Sequence, residues 1–92
     1  MKQYRVQVLA YTPSGWSRDD LLAHVVSGVS AVTIVDAAQV LSLPGGIQRV
    51  AVTFQGLNDN EAHETVRHAQ AGLPVSADTI LSKKEGRRFE HV

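Results

Sequence analysis

Residues 61–68, EAHETVRH, come closest to a metal-binding or catalytic motif in this chain. The zinc-protease pattern His-Glu-x-x-His places its two histidine ligands four residues apart, which is about one helical turn. Arg67 occupies the position of the second ligand here, and His68 follows His63 by five residues. On a regular helix that separation places the two histidines roughly 140° apart around the axis. The spacing therefore excludes a zinc-protease site.

A different set of three side chains in the same segment shares one helical stripe. Glu61, Glu64 and His68 are spaced three and four residues apart, so their side chains are neighbours on a helix. Carboxylates and imidazole bind hard or borderline divalent metals, which makes these residues candidate ligands if another part of the chain contributes. A solvent-facing Glu–His pair near the end of a helix has the same pattern, and the sequence predicts no cofactor.

The remaining chemistry-bearing residues do not form a catalytic set. The chain contains no cysteine and no glycine-rich phosphate-binding motif. His24 lies among apolar positions of a predicted helix, and the sequence specifies no partner that would make it a general base. No combination of nucleophile, base and orienting group can be drawn, so the chain reads as noncatalytic.

A basic cluster near the C-terminus is a candidate nucleic-acid contact. It comprises Lys83, Lys84, Arg87 and Arg88 within KKEGRR. The chain as a whole has no net charge and only 5% aromatic residues, whereas nucleic-acid-binding proteins usually carry a basic surplus. Nucleic-acid binding through these residues is therefore one hypothesis, and the ordinary interpretation of the cluster is a solvated surface.

Length and composition define the class of protein. Ninety-two residues with 43% hydrophobic and 20% charged side chains fit one globular domain, residues 1–92. No apolar stretch has the length of a signal peptide core or of a membrane-spanning helix. The expectation is a cytoplasmic protein without a membrane partner.

The first half of the chain predicts a strand, a helix and a second strand. Residues 3–11 alternate between polar and apolar side chains, as in a half-buried strand. Ser17 is the expected N-cap of a helix, with Asp20 in the capping-box position and Gly28 as the expected stop. The next strand begins at about Val32, and Asp36–Ala38 suits either a bulge, which is favoured, or a short helical turn.

The second half predicts a hairpin, a helix and a last strand. Pro44–Gly46 is the turn before a strand over residues 47–56, with Val50, Val52 and Phe54 facing the core. A helix follows from Asn58 and ends near residues 72–74. Residues 75–82 form a fourth strand and residues 83–86 a turn. Residues 87–92 are either a short fifth strand or a frayed tail, so residues 83–92 form a possible turn and edge strand.

The order β-α-β-β-α-β resembles the ferredoxin-like fold over nearly the whole chain. This resemblance is architectural and implies an antiparallel sheet with both helices on one face. The opposite face would be open and polar. The residues expected there, as candidate partner-binding residues, are Arg5, Gln7, Arg49, Thr53 and Gln55.

Two further hypotheses use this open face. The favoured one is a noncatalytic binding or assembly module that forms a homodimer or binds another protein. The alternative is a small cofactor-independent enzyme of the dimeric α+β barrel kind, with His24, Tyr11 and Arg49 as the residues to test. An enclosed pocket lined by one of these three residues would favour the enzyme.

Overall fold

The computed structural model describes residues 1–92 as an α+β protein with five strands and two helices. Neither helix is long and apolar enough to cross a membrane. The elements in chain order are β1 (Lys2–Tyr11), α1 (Arg18–Ser30), β2 (Val35–Ser42), β3 (Ile47–Gly56), α2 (Asp59–Gln70), β4 (Asp78–Glu85) and β5 (Arg88–His91).

The five strands form one antiparallel sheet in the order β2-β3-β1-β4-β5. In the centre of this sheet, Val6 of β1 lies opposite Val52 of β3 on one side and Leu81 of β4 on the other. Both helices pack on the face that carries these three residues. The expected α+β architecture, with an antiparallel sheet and two helices, is therefore confirmed.

The core lies between the two helices and this covered sheet face. Strict alternation on β1 and β3 supplies the sheet side, as the sequence pattern predicts. The helices contribute residues spaced three or four apart. The core cluster consists of Tyr4, Val6, Val8, Leu21, Val25, Val29, Val50, Val52, Phe54, Ala62, Val66, Ala69 and Leu81.

Gly28 does not end the first helix, so that prediction was wrong. Helix α1 continues to Ser30. A Cβ atom at Gly28 would overlap the backbone carbonyl oxygen of His68 and lie 2.9 Å from its carbonyl carbon. Glycine is needed because α1 and α2 approach each other through their backbones at this point.

The irregularity predicted at Asp36–Ala38 is a β-bulge. The register between β2 and β3 shifts between Val35 and Ala37, which leaves Asp36 as the extra residue. The strand itself begins at Val35 rather than at Val32. The turn before β3 is a single 3₁₀ turn over Pro44–Gly46, in which Gly45 has a φ of 83°.

The expected turn over residues 83–86 lies further along the chain than predicted. Strand β4 continues through Lys83, Lys84 and Glu85. The turn comprises residues 86 and 87, and Gly86 has a φ of 62°. Residues Arg88–His91 then pair with β4 as a fifth strand, so the frayed-tail alternative was wrong. Pairing with β5 extends β4 through Lys84 and Glu85, residues that do not favour a strand by themselves.

Side-chain caps begin both helices. Ser17 accepts a hydrogen bond from the backbone N–H of Asp20, and the Asp20 carboxylate accepts one from the backbone N–H of Ser17. Asn58 similarly caps α2 by accepting from the backbone N–H of Glu61. The Glu61 carboxylate accepts from the N–H of Leu57 and not from that of Asn58, so the second capping box is incomplete.

We expect a Ser17→Ala variant to lose about 1 kcal/mol of unfolding free energy, because it leaves the N–H of Asp20 without its acceptor. Urea unfolding followed by circular dichroism measures this loss. Ser14→Ala in the preceding exposed loop is the control and should change stability by less than about 0.5 kcal/mol. Equal stability of the two variants would contradict the assigned cap.

Candidate functional site

The uncovered face of the sheet carries the residues predicted for partner binding. Arg5 and Gln7 lie on β1, and Arg49, Thr53 and Gln55 lie on β3. In the register of β1 and β3, Arg5 lies opposite Thr53 and Gln55 lies opposite Gln3. All five predicted residues alternate with core residues along their strands. The structure therefore brings all five onto one face, and their role in binding stays a prediction.

One end of this open face is held by polar contacts. The carboxylate of Asp36 in the bulge accepts hydrogen bonds from the amide nitrogens of Gln3 at 2.8 Å and Gln55 at 3.1 Å. The guanidinium of Arg5 lies 4.5 Å from the ring centroid of Phe89 on β5, a cation–π distance. These contacts join the two outer strands to the centre of the sheet and fix the side chains that a partner would meet.

The other half of the open face carries several apolar side chains that the sequence analysis missed, with Arg49 between Leu41 and Leu9 and Asp78 beside Leu9. Tyr11 is 60% exposed, Leu41 is 43% exposed and Ile80 is 37% exposed. The half-buried Leu9 and Ile47 lie beside Tyr11, around a recess of about 290 Å³ at this end of the sheet. The alternation along β1 was enough to place Leu9 and Tyr11 on the open face, since they occupy odd-numbered positions like Arg5 and Gln7.

The residues proposed for the enzyme alternative do not lie together. Tyr11 and Arg49 project from the open face, on β1 and β3. His24 lies on α1 in the helical layer, on the other side of the sheet. Tyr11 lines only the recess at the sheet end, and Arg49 lines no pocket of appreciable size. Two of the three residues could serve one site, whereas His24 could not join them.

The largest concavity is an open groove of about 620 Å³ on the outer surface of the helices. The ring centroids of Trp16 and His24, at one side of the groove, are 5.3 Å apart. The Nε2 atom of His24 lies 2.6 Å from the backbone carbonyl oxygen of Ala71 and therefore donates to it. This bond ties His24 to the end of α2, which is a structural role in helix–helix contact.

A tyrosine, a carboxylate and a lysine meet where β1 and β4 approach the start of α2. The buried Tyr4 hydroxyl donates to Asp59 at 2.7 Å, and the Lys83 ammonium lies 3.4 Å from the same carboxylate oxygen. Burial, together with the hydrogen bond to Asp59 and nearby carboxylates, raises the pKa of Tyr4 to about 12. The hydrogen bond from Tyr4 is the largest cause that lowers the pKa of Asp59, and Lys83 adds to it.

This cluster is unsuited to proton transfer near neutral pH. The phenol of Tyr4 stays protonated and the carboxylate of Asp59 stays ionised, because each shift moves the pKa of the group further from pH 7. The Tyr4 ring also stacks on Phe54 at a centroid distance of 5.9 Å. The cluster therefore joins β1, β4 and α2 in the fold.

Two of the three candidate metal ligands on α2 are engaged in other contacts, and His68 is exposed. The Glu61 carboxylate accepts the Leu57 N–H, and Glu64 forms an ion pair with Arg67 at 3.1 Å. No group of three or more histidine, aspartate or glutamate side chains is arranged to hold a metal ion. We therefore propose no metal site at Glu61, Glu64 and His68.

The basic residues near the C-terminus are divided between locations. Lys83 lies on the covered side of the sheet, opposite Tyr4, and pairs with Asp59 and Glu85. Lys84 alternates to the other side, Arg87 lies in the turn, and Arg88 lies on β5 opposite Glu85. A cluster divided in this way presents no continuous basic surface to a phosphate backbone.

Comparison of the chain with protein-family models, with curated proteins and with solved structures gave no match.

Proposed function

We propose that the protein is a noncatalytic assembly module that binds a second copy of itself through its open sheet face. We also propose that its architecture is ferredoxin-like, with β5 added to the free edge of β4. The order of the first four strands and the positions of the helices after β1 and β3 support this fold. The alternative is that the same face binds a different protein, and the mass of the wild-type chain in solution distinguishes the two.

The observation that carries the proposal is the group of apolar side chains on the open face, formed by Leu9, Tyr11, Leu41, Ile47 and Ile80, with Arg49 and Asp78 among them. Three of these large side chains are more than one-third exposed in a domain whose buried core is only 13 residues. Grouped exposed apolar side chains rimmed by polar ones are typical of protein-interaction surfaces. Burial of each such side chain would stabilise a complex by about 1 kcal/mol or more.

The area of the face also suits a second copy. Five strands of four to ten residues, about 4.8 Å apart and at about 3.3 Å per residue, define a face of roughly 600 Å². Stable interfaces use roughly 600–1,000 Å² from each partner, so a dimer of this kind would bury nearly the whole face. Two such faces can pack about 10 Å apart, as in sheet sandwiches. The polar positions Arg5, Gln7, Thr53 and Gln55 would then form hydrogen bonds around the apolar contact, and Arg49 would lie within it, between Leu41 and Leu9.

We expect Ile80→Asp to weaken self-association by about 100-fold or more, because it places an unpaired carboxylate in the apolar contact. Light scattering coupled to size-exclusion chromatography measures the mass against the 10.0 kDa chain. Leu57→Asp is the matched control, since Leu57 is also exposed but lies in the loop before α2. It should leave the mass unchanged.

A wild-type chain that stays monomeric at high concentration would overturn self-association through this face. A wild-type mass that Ile80→Asp leaves unchanged would overturn it equally. If the monomer captures a different protein from the source extract and Ile80→Asp abolishes the capture, the face binds a heterologous partner.

A further inference from the structure

The two edges of the sheet differ in their protection against pairing. Strand β5 has only four residues, and Arg88 and Glu90 supply charges of both signs. The β2 edge is longer, and residues 37–42 read AAQVLS with no charge and no proline. Proteins usually protect exposed edges with charges, prolines or short strands. The β2 edge lacks these devices beyond the bulge at Asp36.

The free backbone groups of β2 follow from its pairing with β3. The N–H of Leu43 donates to the carbonyl of Ile47, and hydrogen-bonded pairs alternate along an antiparallel ladder. Residues 37, 39 and 41 therefore direct their backbone groups toward β3. Ala38, Val40 and Ser42 direct theirs outward, so the edge presents three regularly spaced donor and acceptor positions.

Apolar side chains flank this edge on the helical side. Arg18, Leu22 and Val26 form one stripe of α1 at four-residue spacing, and the Arg18 guanidinium lies 3.4 Å from the Ser42 hydroxyl. The stripe therefore lies along β2, on the side of α1 away from α2. Leu22, Val26 and the adjacent Val40 are only partly buried against the core.

We infer that β2 pairs antiparallel with β2 of a second copy of this chain, forming a continuous ten-stranded sheet. A two-fold axis normal to the sheet relates antiparallel copies of one edge and keeps both helical layers on the same side. With Val40 opposite its own copy, Ala38 lies opposite Ser42 and Gln39 opposite Leu41. The outward groups of residues 38, 40 and 42 then exchange six backbone hydrogen bonds.

The side chains at this junction are compatible with the two-fold axis. No charged residue within 37–42 faces its own copy, so association carries no like-charge repulsion. The partly buried Leu22 and Val26 of each copy lie beside the junction and gain burial there. The open faces of the two copies become continuous. The edge pairing rests on the backbone groups of β2, so it stands independently of the face-to-face proposal, and only Leu41 belongs to both contacts.

A single introduced cysteine tests the register, because the chain contains no other. Val40→Cys places one thiol beside its two-fold copy, so mild oxidation should convert most of the protein to a covalent dimer. Glu90→Cys on the β5 edge is the matched control and should remain largely monomeric under denaturing electrophoresis. Dimer yields that do not differ between the two variants would overturn the inference.

Proline substitution tests the edge without breaking the internal ladder. Ala38→Pro removes an outward N–H and should weaken edge association by about 100-fold. His91→Pro removes an outward N–H on β5, whose residue Val92 donates back to Leu81, and should have no effect on mass. Circular dichroism verifies that both variants fold. If Ala38→Pro does not fold, the cysteine experiment alone decides.

The two interfaces are distinguished by mass. If their two-fold axes intersect at a right angle, the two interfaces together form a tetramer, which Ile80→Asp reduces to the edge dimer and Ala38→Pro reduces to the face dimer. If the face proposal fails alone, the wild type is a dimer sensitive only to Ala38→Pro. If the edge inference fails alone, the wild type is a dimer sensitive only to Ile80→Asp.

Discussion

A Gly28→Ala variant should lose about 3 kcal/mol of unfolding free energy, although alanine is the better helix former. In an unconstrained helix this substitution would stabilise by about 1 kcal/mol. Here the added Cβ overlaps the His68 carbonyl oxygen and lies 2.9 Å from its carbonyl carbon. Both atoms belong to the backbone of α2, so relief requires that the whole helix moves away.

Such a loss is a large fraction of the roughly 5–15 kcal/mol that stabilises a typical domain. Urea unfolding of wild type and Gly28→Ala provides the comparison. Ser27→Ala is the matched control, because Ser27 is exposed on the same helix, and it should stay within about 0.5 kcal/mol of wild type. Wild-type stability of Gly28→Ala would show that α1 and α2 are not in backbone contact.

Folding stability should fall as the pH rises from 10 to about 12, because Tyr4 must lose its proton. Burial raises its pKa from 10.0 to about 12, helped by the hydrogen bond to Asp59. Below pH 10 both states hold the proton and the contribution is complete. Between the two values only the unfolded state releases it, so stability declines by about 2 kcal/mol across this window.

Two variants isolate this titration. Tyr4→Phe removes the ionisable hydroxyl, so its unfolding free energy should depend less on pH than that of wild type in the same window. Tyr11→Phe leaves Tyr4 as the sole tyrosine, and its phenolate absorbance should titrate near pH 12. A phenolate midpoint near 10 in the Tyr11→Phe variant would contradict the buried hydrogen bond between Tyr4 and Asp59.

Periodicity predicted the elements whose burial repeats along the chain. Val50, Val52 and Phe54 face the core as their alternation indicates. The capping residues Ser17 and Asn58 also begin the helices that they were assigned to. These features depend on neighbours within a few residues, so the local sequence contains the information needed to predict them.

Predictions failed where the cause lay in a distant segment. Gly28 resembled a helix terminus, yet a glycine is required at this position because the backbone of His68, forty positions away in sequence, lies against it. Lys83–Glu85 resembled a turn, yet β5 pairs with all three residues, and β1 pairs with Lys83, so they belong to a strand. In both cases a tertiary contact outweighed a local preference of about 1 kcal/mol or less.

Only the polar half of the candidate site was predicted from the sequence. Alternation on β1 and β3 placed Arg5, Gln7 and Thr53 on the open face. The apolar half required the order of the strands, because Leu41 and Ile80 belong to segments far apart in the chain. Pairing of β2 with β3 and of β4 with β1 brings them onto the face that carries Tyr11.

The sequence by itself determined the α+β class, the alternating core strands and the absence of a zinc-protease motif in EAHETVRH. Each of these depends on residue type and spacing along a single helix or strand. Only the tertiary structure decided that the sheet has a fifth strand, that the basic residues 83–88 are divided, and that β2 forms an uncharged edge. Strand neighbours set all three, since an edge or a face exists only once separate segments pair.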